Sequence, residues 1–226
     1  YADNDNCVVR SDLEIDKGST EELAGKKVAV PLGTAAHYGF LKQMDHFGVD
    51  VGSMEIVDMD PPDGAAAIAQ GAVDMFCGWG GSLRRAKEHG NILLTGAEKT
   101  ELGILVFDVT SGPAGWVAEN SDLVAKFLKV TADANAMWAD SSNHAMMLPA
   151  IAKDAGMDEA ATADTMATFV FPTVDSQLSS TWLGGGAQEF MKGVADVFVT
   201  AGSIDSALGS YADNVNVGPL DTANGM

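Results

Sequence analysis

The chain of 226 residues is acidic, with 13 Lys and Arg against 32 Asp and Glu and a formal net charge of −19. That balance argues against binding nucleic acid or inserting into an anionic membrane surface, both of which call for cationic contacts. Hydrophobic residues make up 46% of the chain, enough for a core in one or two domains, yet no run of about 18 consecutive apolar residues is present to span a bilayer.

The opening, Tyr1-Ala2-Asp3-Asn4-Asp5, lacks the basic region and apolar core of a secretion signal, so an exported protein would be represented here by a processed or truncated form. Short apolar runs then alternate with helical patterns. Strands are predicted at Cys7 to Val9, Lys27 to Val30, Met54 to Val57, Val73 to Cys77, Ile92 to Leu94 and Ile104 to Val109. Helices are predicted around Ala36 to Phe47, Gly64 to Gln70 and Ser82 to Glu88. This order implies a mostly parallel sheet with helices on its faces. Near residue 118 the pattern changes: Leu123, Phe127, Val130 and Ala134 repeat at helical spacing, as do Phe190, Val194, Val197 and Phe198, with Ser121 as a cap and Gly202 as a stop. Cys7 and Cys77 are open to two readings, a disulfide or a pair of buried thiols.

The segment from Lys26 to Phe40 carries the chemistry. A buried strand runs into the turn at Gly33, and Thr34 can cap the helix that follows. The first amides of such a helix have no intrahelical acceptor and, with the helix dipole, attract a phosphate, sulfonate or carboxylate. His37 and Tyr38, in the first turns, place a ring N–H and a hydroxyl within reach of an oxyanion. Trp79 follows a Gly at the C-terminal end of a predicted strand, where open α/β sheets hold their ligands. His46, His89 and His144 show no metal-ligand spacing, and neither a metal nor a cofactor is expected.

Val30-Pro31-Leu32-Gly33-Thr34-Ala35-Ala36-His37-Tyr38 resembles the Val-Pro-x-x-Ser/Thr-x-x-His-Tyr motif of taurine-binding proteins, the periplasmic receptors of taurine ABC importers. Three further stretches are similar to that family in the same order. They are Met54-Glu55-Ile56-Val57 with Asp60-Pro61-Pro62, Val73-Asp74 with Trp79, and Phe171-Pro172 with the run from Gln177 to Gly186.

The resemblance implies a type II periplasmic binding protein fold, two α/β lobes joined by two crossover strands with the ligand in the cleft. Residues 1–118 would be lobe two with both crossover strands, and 119–226 the C-terminal helical part of lobe one. The opening βαβ portion of lobe one has no counterpart here, so a missing N-terminal segment is expected; without it apolar helix faces would meet water. By resemblance, Asn4 to Arg10 is the first crossover strand and Phe107-Asp108-Val109 the return strand, which gives Asp5 and Asp108 the ammonium of a zwitterion such as taurine. The amides behind Thr34, with Ala35, His37 and Tyr38, would take the sulfonate end, and Trp79 would form a wall of the cleft. Ala35 and Ala36 stand where the family carries further hydroxyl residues, which leaves room for a related sulfonate or another small solute.

The function implied is capture of taurine or a similar sulfonate by domain closure and delivery to an ABC transporter permease, in the periplasm or outside the cell. One alternative is an enzyme on the same fold, such as the pyrimidine synthase family of thiamine biosynthesis, to which His37 invites comparison. Against it, the chain has no Cys-rich iron motif, no Gly-x-Ser-x-Gly elbow and no nucleophile motif around either Cys, so a non-enzyme is expected. A receptor for a different small amine or anion is the other alternative, and a free-standing interaction module a third.

Overall fold

The computed structural model describes residues 6–104 and 108–226. The chain divides into two compact units, Tyr1–Phe107 with Asp164–Phe169, and Asp108–Ala163 with Val170–Met226. The division precedes residue 118, where the apolar pattern changes, because residues 108–113 are exposed and belong to no helix or strand.

The first unit is built on five strands: β1 (Asn6–Arg10), β2 (Lys27–Val30), β3 (Glu55–Asp58), β4 (Met75–Gly78) and β5 (Gly90–Ile92). Their order in the sheet is β3-β2-β4-β1-β5. Strand β2 pairs in parallel with β3 and β4, whereas β1 runs antiparallel between β4 and β5. The sheet is therefore mixed rather than mostly parallel. Residues 105–107 of the expected strand at 104–109 lie outside the described residues, and Ile104, Asp108 and Val109 belong to no strand.

Helices α1 (Ala35–Phe47), α2 (Pro61–Ala69) and α3 (Gly80–Ala86) link the strands, and α4 (Gly96–Glu101) follows β5. Alternate strand residues feed two cores, because successive side chains point to opposite faces of a sheet. Cys7, Val9, Val28, Val30, Met75 and Cys77 pack with Phe40 and Met44 of α1 on one face. Val8, Ala29 and Phe76 pack with Ala65 and Ile68 of α2 and with Leu83 and Ala86 of α3 on the other. Both faces are covered, which explains why β2 and β4 read as continuous apolar runs. Cys7 and Cys77 are register partners on β1 and β4 and are joined in a disulfide, with Sγ atoms 2.10 Å apart.

The second unit is helical. Its elements in chain order are α5 (Ala114–Glu119), α6 (Ser121–Ala139), α7 (His144–Ala155), α8 (Glu159–Met166, whose last turn belongs to the first unit), α9 (Val174–Leu178), α10 (Gly186–Thr200) and α11 (Gly218–Asn224). Ser121 begins α6 as its first helical residue, and Asn120 rather than Ser121 holds the cap position. Gly202 closes α10 in the left-handed region at φ +70°. Helix α11 packs on α6, and Leu220 and Ala223 of α11 and Ala125 of α6 are buried. The apolar stripe read from the sequence meets water, as expected there of apolar helix faces without a covering segment: Leu123, Phe127 and Val130 are 56%, 56% and 68% exposed. No helix among the described residues is long and apolar enough to cross a membrane.

Candidate ligand-binding site

After β2 the chain runs out to β3 and then returns to β4 on the far side of β2. The sheet order thus reverses between β2 and β4, and open α/β sheets bind ligands outside the carboxyl ends of the strands at such a reversal. Two loops leave the sheet there: Pro31 to Thr34 after β2, and Trp79 after β4.

The first loop is tied tightly. Gly33 turns at φ +73°, a conformation that L side chains rarely adopt. The Thr34 hydroxyl donates to the Pro31 carbonyl at 2.7 Å and accepts the amide of His37 at 3.4 Å, so Thr34 is the cap of α1. The amide of Gly33 donates to Nδ1 of His37 at 3.2 Å, and that of Leu32 to the Asp58 carboxylate at 2.9 Å. Two of the turn amides thus have protein acceptors. The next three, of Thr34, Ala35 and Ala36, donate to no acceptor among the described residues. Ala36 is only 2% exposed. A buried amide without an acceptor is disfavoured by about 1–3 kcal/mol, and a pair of amides at a helix start suits an anion oxygen.

The rings nearby are neutral. Burial pushes the His37 imidazole below its usual value near 6.5, against the opposing pull of the Asp58 carboxylate. Burial likewise pushes the Tyr38 phenol up, so that it stays protonated. Trp79 is 37% exposed at the head of α3, an accessible aromatic face at the same edge of the sheet. At the start of β1, Asn6 is buried and donates to the Leu94 carbonyl at 2.9 Å, tying that strand to the segment after β5.

Of the residues the sequence points to, Thr34, Ala35, His37 and Tyr38 are the cap and first turn of one helix, and Trp79 follows the neighbouring parallel strand. Asp108 is exposed and belongs to the second unit, and Asp5 lies outside the described residues. Asp58 is a site residue that the sequence reading passes over. Its signal is the parallel register, which pairs it with Val30, the last residue before the turn. Among the described residues, no group of three or more His, Cys, Asp or Glu side chains is arranged to hold a metal.

Residues 4–145 match the family described as NMT1/THI5 like. The chain belongs to that family. Within its range fall the whole five-stranded sheet, the capped turn of α1 and the disulfide. Over 114 residues the chain is 29% identical to the taurine-binding periplasmic protein of Escherichia coli, covering 50% of this chain and 36% of that one. Among solved structures, the periplasmic aliphatic sulphonate binding protein SsuA of Escherichia coli superposes with a TM-score of 0.69 at 17% identity, over 94% of this chain and 65% of that one. The desulfurization enzyme DSZB shares the fold at a TM-score of 0.60 and 16% identity, over 99% of this chain and 76% of that one. The fold is therefore the type II periplasmic binding protein fold. The chain spans about a third of the taurine-binding relative and about two thirds of the solved sulphonate receptor.

Proposed function

We propose that this NMT1/THI5-like protein captures a small sulfonate, taurine or a related zwitterion, for delivery to an ABC importer in the periplasm. The observation that carries the reading is the set of amides of Thr34, Ala35 and Ala36 without a protein acceptor, one of them in a buried residue, at the reversal point of the sheet. A strongly acidic protein repels anions overall, so its anion site must act through local amides and dipoles, as this one does. The relatives named for taurine and sulphonate binding support that ligand class. Trp79 would wall the site, and the ammonium pole falls to carboxylates: Asp5 and Asp108 as the resemblance implies, with Asp58 already hydrogen-bonded to the turn.

Calorimetry and thermal unfolding with taurine, methanesulfonate, sulfate and choline test the reading. The expected result is a stabilising shift with the two sulfonates, as a ligand that binds only the folded state produces. A shift with choline alone, or with none of the four, overturns it.

A further inference from the structure

The first unit contains two Thr-led helix starts that invite comparison. At the head of α4, the Glu98 carboxylate accepts both the amide and the hydroxyl of Thr95 at 2.8 Å, and the Thr95 hydroxyl oxygen accepts the Glu98 amide at 3.3 Å. This is the reciprocal Thr-x-x-Glu capping box. The Lys17 ammonium hydrogen-bonds that carboxylate and, with Thr95, holds its pKa down to about 2, so this box is closed by an ionised carboxylate paired with Lys17.

At the head of α1 a variant of that pair forms, in which the side chain three residues after the cap takes the amide before the cap and leaves the amide of the cap residue, Thr34, with no acceptor among the described residues. The Thr34 oxygen accepts the amide of His37, and the His37 side chain reaches back to accept a backbone amide, that of Gly33. An amide N–H can only donate, so Nδ1 must be the unprotonated nitrogen and the ring proton sits on Nε2. The His37 acceptor adds no charge of its own, and the carboxylate in contact with the turn is that of Asp58, at the Leu32 amide. A carboxylate in that place would put a negative charge in the same first turn as the open Ala35 and Ala36 amides.

We infer that His37 is a positioning residue: as a neutral acceptor it locks the Gly33 turn and leaves the amides behind it able to receive an anion, which the Glu of an ordinary capping box would repel. The inference rests on the sulfonate-binding reading and adds the reason for a His at this place. Its ring lies 4% exposed within the folded unit, and burial favours the neutral form that the Gly33 bond demands.

Three variants separate the roles of the ring. His37→Gln keeps a neutral acceptor on a side chain of capping-box reach, His37→Glu keeps the acceptor and adds charge, and His37→Leu removes the acceptor. Taurine and methanesulfonate affinities are measured by calorimetry on each variant, with melting temperatures in parallel. The expected result is His37→Gln within about threefold of the unsubstituted protein, and at least tenfold weaker binding by His37→Leu and His37→Glu. His37→Glu should melt within a few degrees of His37→Gln, which separates lost binding from lost fold. Nitrogen NMR of the imidazole should show the proton on Nε2 at neutral pH, whatever ligand is present. Affinity in His37→Leu equal to that of the unsubstituted protein, or in His37→Gln as weak as in His37→Leu, overturns the inference alone, as does a ring protonated on Nδ1. Failure of the unsubstituted protein to bind either sulfonate overturns the functional reading and this inference with it, whereas the NMR result still reports the turn.

Discussion

The two units bury different things. In the first, large side chains fill both faces of the sheet: Phe40, Phe76, Ile68, Met44 and Met75 are sealed from water. In the second, the buried residues are chiefly small, Ala125, Ala152, Ala187, Ala195 and Ala223 with Leu220, while Leu123, Phe127 and Val130 stand in solvent. Stability follows the apolar area removed from water, about 25 cal/mol per Å². The first unit therefore carries its fold in its own core, and it also carries the candidate turn. In the second, α6 and α11 pack together and the buried side chains are chiefly Ala.

The sharpest way to break this comparison is Phe76→Ala. Phe76 is fully buried, and its ring is the nearest group to both Gly64 on α2 and Gly78 at the end of β4. Removing it should lower stability by about 3–5 kcal/mol, since the surrounding backbone cannot collapse into the gap. Urea unfolding reads the change, and a loss under about 1 kcal/mol would contradict a tightly packed first unit. Filling the same place tests its density from the other side. A Cβ at Gly64 would lie 2.5 Å from the Phe76 ring, so Gly64→Ala should cost about 1–3 kcal/mol through overpacking, despite the better helix propensity of Ala. A gain in stability would show slack between α2 and the sheet.

Much of the first unit is legible in the sequence for the same reason that it is well packed. Strands buried on both faces leave continuous apolar runs, and the strands β1 to β4, with the helices between them, fall close to where Cys7 to Val9, Lys27 to Val30, Met54 to Val57 and Val73 to Cys77 place them. Direction is not legible: nothing in Asn6 to Arg10 says that β1 runs against its neighbours, because that depends on the crossover and not on local pattern. The cap at Thr34 is readable because it is local, whereas Asp58 joins the turn only through the β2–β3 register. The α6 stripe is legible as a helix but not as a contact. Helical spacing at Leu123, Phe127, Val130 and Ala134 shows that one face is apolar but not that a neighbour covers it, and the contact with α11 forms on the Ala125 side.

Within the first unit, Thr34→Ala separates the turn from the core. It removes the bond from the Thr34 hydroxyl to the Pro31 carbonyl and the acceptor for the His37 amide. Loss of such a cap costs about 0.5–2 kcal/mol, and the 3.4 Å cap bond places the expected loss near the lower end, about 1 kcal/mol. For a chain of this size that lowers the melting temperature by about 2–4 °C. An unchanged melting temperature would mean that the Gly33–His37 bond alone holds the helix start.

The smallest effect is expected on the exposed apolar stripe of α6. Phe127 lies on α6 with more than half of its surface in water, and Leu123 and Val130 flank it on the same stripe. Phe127→Gln keeps a good helix former and removes an exposed ring, so its stability change should stay within about 0.5 kcal/mol, the usual range for exposed positions. A Phe at a sealed position and a Phe on this stripe then differ several-fold in cost within one chain, and urea unfolding of the Phe76 and Phe127 variants side by side measures that ratio. A loss above about 2 kcal/mol for Phe127→Gln would show that the stripe is covered in solution. The contrast between the units would then be one of which surfaces are exposed in isolation and not of how tightly each is packed.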